Sequence, residues 1–157
     1  MTRLDTDGNP FRFHLGADEK KLLAGLLALY PATPASFQRL GGGETAQMRV
    51  AQQVLEEALA DRKTENQRQL QTLLQTETCL RPDETGYGLT LTGPQMTWLL
   101  EVLNEVRVGS WLKLGKPDSP EKLRLVKGKV QLRDLWVMEI CGYFQMALLE
   151  ALNRPTS

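Results

Sequence analysis

An arginine stands where a guanidinium is costly. Projected at about 100° per residue, the helix expected over residues 92–115 gathers Met96, Leu99, Leu100, Leu103, Trp111 and Leu114 on one face. Arg107 falls near the middle of that face and Asn104 on its flank. Taking a charge out of water costs several kcal/mol, so an inward Arg107 requires a carboxylate partner or a bound anion. Glu139, beside Tyr143 at the edge of the last helix's apolar face, is the first candidate. On the second helix, Arg62, Asn66 and Gln69 continue the stripe begun by Met48, Ala51, Leu55 and Ala58. Two chemistries fit this set. One is an internal ion-pair and amide network that fixes helix register. The other is a helix-lined cleft around Arg107 that holds a small anionic ligand, which is also what an enzyme here would need.

The chain offers little else to a reaction. His14 is its single histidine, and strand alternation turns it away from Phe11, Phe13 and Leu15, toward solvent or a covering loop. Cys79 and Cys141 are far apart and outside any CxxC pattern, so they read as reduced thiols and not as a zinc site. HExxH, GxSxG, Walker and EF-hand patterns are missing. Gly41-Gly42-Gly43 precedes a helix, but no strand leads into it and Glu44 would repel a phosphate, so it reads as a linker. No metal and no organic cofactor are expected.

Charge is balanced overall, with nineteen basic and nineteen acidic residues, and gives no global field for nucleic acid or an anionic membrane. It is uneven locally. Arg107, Lys113, Lys116, Lys122, Arg124, Lys127, Lys129 and Arg133 are eight basic residues against Asp118 and Glu121, a local excess of six. Such a segment reads as a solvated loop or as a weak nucleic-acid contact, and only Trp111 is there to stack on bases. Trp98, Trp111 and Trp136 read as core or interface residues. Trp98 and Val102, off the main inward face, mark a second buried face or a dimer seam.

The elements that must position these residues follow from periodicity and punctuation. Phe11–Leu15 and Tyr87–Leu91 alternate as half-buried strands. A first helix opens at 16–19 and runs to Tyr30 before Pro31, with Leu22, Leu23, Leu26, Leu27 and Tyr30 on one face. A long polar helix spans about 44–76, with an irregularity expected near 61–64. The third starts at a capping box, Thr92 and Gln95, with Pro94 in its first turn. The fourth runs from about Arg133 to Asn153, with Trp136, Ile140, Phe144, Ala147, Leu148 and Ala151 inward. Residues 79–86 read as a turn, and 123–132 as either a small hairpin about Lys127-Gly128 or an ordered loop. The fold class is therefore mainly α: one four-helix bundle-like domain over 1–157. Its loops lie at about 31–43 and 116–131, and a small two-stranded antiparallel ribbon joins 11–15 to 87–92. At 157 residues such a domain buries roughly 68–70% of its unfolded surface. Residues 1–15 lack a signal-peptide pattern, and no unbroken apolar run approaches the roughly 18 residues of a membrane span. These features predict a soluble cytoplasmic protein.

Thr90-Leu91-Thr92, Trp98-Leu99, Leu103-Asn104-Glu105-Val106-Arg107 and Lys113-Leu114-Gly115 form a pattern along the second strand and third helix. That pattern resembles a bacterial family of uncharacterised helical domains, domain-of-unknown-function family two-thousand-and-seventeen. The likeness extends to Leu148-Leu149-x-Ala151-Leu152 and to residues 15–27. The family has no established catalytic or ligand residues, so the resemblance implies a mainly helical bacterial domain and no activity. The function expected from the whole reading is a non-enzymatic protein-interaction or regulatory module. Its partner is another protein or a second copy, not a membrane. A binder of a small anion around Arg107 and a nucleic-acid binder through 107–133 stand as alternatives.

Overall fold

Phe11, Phe13 and Leu15 alternate with Arg12 and His14, and one side of that strand is buried while the other is not. In the computed structural model, which describes residues 1–4, 9–34, 45–119, 121–122 and 129–154 (only the backbone of 129 and 130), this alternation sets the central strand. The order along the chain is β1 (Thr2–Arg3), β2 (Phe11–Leu15), α1 (Ala17–Leu27) and α2 (Ala46–Gln75). Then come β3 (Leu80–Pro82), β4 (Tyr87–Leu91), α3 (Gly93–Lys113) and α4 (Lys129–Asn153).

The mainly helical class is correct, but the ribbon is larger than expected. Four antiparallel strands lie in the order β1-β2-β4-β3. The inner pair has the anticipated partners, Phe11 opposite Leu91, Phe13 opposite Leu89 and Leu15 opposite Tyr87, which puts the apolar residues of both strands on one face. The edge strands have two and three residues, too short to carry an alternation. Pro82 ends β3 at an edge, where a missing N–H does no harm. At the turn into β4, Gly86 has a φ of 155°, and a Cβ there would lie 2.3 Å from the Leu15 carbonyl oxygen. Only glycine fits that crossing.

Helix α3 starts as its cap dictates. Thr92 Oγ1 accepts from the Gln95 N–H, and Gln95 Oε1 accepts from the Thr92 N–H at 2.9 Å. Its buried seam is Met96, Leu99, Leu103, Val106 and Ser110, with Val102 and Gly109 alongside. That of α4 is Asp134, Val137, Cys141, Phe144, Leu148 and Ala151. Both advance in steps of three and four, the 3.5-residue repeat of helices that stay in register along a shared seam. The two helices lie against each other, with α1 and the sheet completing the core.

An even four-helix bundle is not formed. In α2, a continuous helix with no break near 61–64, only Leu70 and Leu73 are buried, and Val50 and Val54 stand in solvent. The first helix ends at Leu27, and the last begins at Lys129 rather than Arg133. The expected loops at 31–43 and 116–131 fall partly outside the described residues, as does Lys127-Gly128.

Candidate functional site

Arg107 is exposed, which removes the cleft expected around it. Its polar contact among the described residues, Nη1 to Gln145 Oε1 at 3.5 Å, is at the outer limit of a hydrogen bond. Glu139 is exposed on α4 and forms no ion pair among those residues. The physical reason is one step of helix phase. From Leu103 the projection stepped four residues to Arg107, whereas the seam steps three to Val106. Gly109 and Ser110 are buried, and the guanidinium stays in water, where it carries no desolvation cost. The same rotation on α4 buries Val137 and Cys141 and turns Trp136 outward. Val102 is buried, the second-face reading of that residue.

The other three expected residues do converge. Arg62, Asn66 and Asn104 line a cleft of about 360 Å3 between α2 and α3, closed at one end by the segment after α1. Lys63 and Glu105, which periodicity did not single out, form its centre. They make a largely buried ion pair between the two helices. Lys63 Nζ also donates to Thr33 Oγ1 at 3.1 Å, and the Thr33 hydroxyl donates to Glu105 Oε1 at 2.7 Å. Burial holds the Lys63 amine below its ordinary pKa. A second chain of bonds runs from Trp98 Nε1 to Asn66 Oδ1 at 3.1 Å, and from Asn66 Nδ2 to the Tyr30 hydroxyl at 2.9 Å. Exposed Arg62 pairs with Glu101 at 2.8 Å, and Asn104 stands at the rim.

Two positive and two negative groups thus neutralise one another across the cleft. Here the inward Glu105 oxygen is taken by Lys63 and Thr33, and Oε2, also buried, has no hydrogen-bond partner among the described residues. The arrangement is the internal polar network, moved from Arg107 to Lys63 and Glu105. The signal that would have found it is Glu105 four residues before Gly109, on the side of α3 that faces neither seam nor solvent.

No family model, curated protein or solved structure matches this chain. Site chemistry therefore rests on its own residues. His14 Nε2 lies 2.9 Å from Thr85 Oγ1 and 3.7 Å from Asp83 Oδ1, a histidine held by a covering loop. Of the basic segment, Arg107, Lys113, Lys116, Lys122 and Arg133 are exposed, Lys122 beside Asp118 at 2.9 Å. Arg124 and Lys127 lie outside the described residues, as does Gly41-Gly42-Gly43.

An exposed apolar stripe lies on α4, its Tyr143 hydroxyl accepting from the N-terminal amine and donating to Glu19, each at 2.6 Å. Leu132, Trp136, Tyr143, Met146 and Leu149 are all exposed, Trp136 and Met146 each at 63%. At helical spacing they form one stripe, interrupted by Glu139 and Glu150, on the side away from Cys141, Phe144 and Leu148. Apolar on both sides, the helix is long and apolar enough over residues 131–153 to cross a membrane by length and composition, although its inner side belongs to the core.

Proposed function

We propose that this protein is an interaction module that associates with a second copy of itself through the outer face of α4. The exposed Trp136–Met146 stripe carries the reading. Scattered surface leucines need no explanation, but a band with a tryptophan, a tyrosine and a methionine at helical spacing, broken only by Glu139 and Glu150, has the aromatic and methionine content of an interface. The charges at its two ends select the occupant. Arg133 is exposed near the start of the stripe and Glu150 near its end, so an antiparallel second α4 sets each base opposite an acid while Trp136 meets Met146. Several hundred Å2 from each chain would bury on the order of 1,000 Å2 in all, the lower bound for a specific interface.

Light scattering after size exclusion tests it. The wild type is expected at twice its 17.7 kDa mass, and Trp136→Glu and Met146→Glu at the single mass with unchanged circular dichroism. A wild type that stays single at every concentration overturns the reading. So does flotation of the wild type, but not of Trp136→Glu, with phospholipid vesicles, which would assign the stripe to lipid.

A further inference from the structure

Among the described residues two polar side chains are buried, Ser110 at 5% exposure and Asp134 at 7%, and both line the same cavity. It measures about 350 Å3 and lies where the segment after α1 meets α3 and the N-terminal part of α4, on a different face of α3 from the Lys63–Glu105 cleft. Neither side chain has a hydrogen bond or ion pair with another described residue. The Asp134 carboxylate and the Ser110 hydroxyl thus line the cavity without a protein partner, as groups that a ligand can complete. Lys113 and Arg133 line the cavity too, both exposed and neither within ion-pair distance of Asp134. The remaining lining is largely apolar, with Val106 and Val137 contributing from the two helices.

The cavity therefore presents a carboxylate and a hydroxyl in its interior and two cations at its exposed side. A simple anion would satisfy the cations and face Asp134. A simple cation would do the reverse. We propose that this cavity binds a free amino acid, a small zwitterion. Its ammonium is held by Asp134 and Ser110, its carboxylate by Lys113 and Arg133, and its apolar side chain lies against Val106 and Val137. The volume lies within the range of small-molecule sites. Charge-assisted hydrogen bonds at both ends give the selectivity. Arg133 is shared with the α4 pairing proposed above, whereas Lys113 and Asp134 are not, so variants at those two residues test this site separately from self-association.

Calorimetric titration of the intact chain with each protein amino acid in turn tests it, with L-leucine as the first probe. Two controls carry the same skeleton: 4-methylpentanoic acid, which lacks the amine, and 3-methylbutylamine, which lacks the carboxylate. At least one apolar amino acid is expected to bind saturably, with its two analogues about tenfold weaker or more, because each leaves one charged partner unpaired. Asp134→Asn should lose binding by a similar factor, and Lys113→Ala, on the exposed side, should weaken it while folding normally. Binding by no amino acid overturns the proposal, as does a Lys113→Ala or folded Asp134→Asn protein that binds like the wild type.

Discussion

Gly109 has room for a hydrogen and little more. A Cβ there would sit 2.5 Å from the Ala32 Cβ and 2.8 Å from the Ala32 carbonyl oxygen, so α3 and the segment after α1 touch at this point. Gly109→Ala is expected to lower unfolding stability by about 1–3 kcal/mol, the overpacking cost exceeding the gain in helix propensity. Gly25→Ala, where nothing lies within 4 Å, should raise it by about 0.5–1 kcal/mol. Urea titration of the two variants checks both signs. Cys141 is the other residue with a definite expectation. Burial pushes its thiol up to about 11, with the Arg107 charge pulling the other way. An alkylating reagent at pH 8 should therefore modify partly exposed Cys79 and leave Cys141 until the chain unfolds, as intact-mass measurement will show. The folded thiol holds its proton more tightly than an unfolded one. Its contribution is therefore complete below the ordinary value near 9 and is lost as pH rises toward about 11. None of this was legible residue by residue. The sequence shows a glycine and a serine in mid-helix and an arginine at apolar spacing, but only the partner segment decides which of them is buried.

Among the elements, α2 depends on few attachments. Leu70 and Leu73 anchor its C-terminal half, and the Lys63–Glu105 pair with Thr33 holds its middle to α3. Removing one member of a largely buried pair leaves the other charged and unmatched. Lys63→Ala is expected to cost roughly 2–3 kcal/mol, somewhat under the range for fully buried pairs. The Lys63→Ala/Glu105→Ala double variant should recover much of that. A double-mutant cycle measures the coupling, and additive losses would show that the pair does not hold the helix. Elements with local signatures were readable in advance: the Thr92–Gln95 box marks the start of α3, and two clean alternations mark β2 and β4. Strands β1 and β3 exist only because β2 and β4 offer them an edge, and two or three residues carry no period of their own. The phase of α3 and α4 was lost for a different reason. Both helices have apolar residues outside their seams, so a step of three and a step of four look alike until the two are placed together.

For the molecule as a whole, helical content and the sheet's inner pairing could be inferred from sequence, whereas what the surface offers could not. Trp136 reads as core because aromatic residues on amphipathic helices usually are, and it stands exposed because Val137 and Cys141 occupy the seam. The exposure of that stripe is thus a property of the folded chain that no single helix announces. The pairing of β2 with β4 has a further consequence, for how the chain finds its shape. It ties residues 11–15 to residues 87–91, so everything from α1 through β3 is a loop closed by one ribbon. Contacts so distant along the chain must wait until that loop closes, and its closure entropy grows only with the logarithm of its length. Doubling the loop would cost only about 0.6 kcal/mol. Extra residues between α1 and α2 should slow folding slightly and leave the finished sheet almost as stable as before.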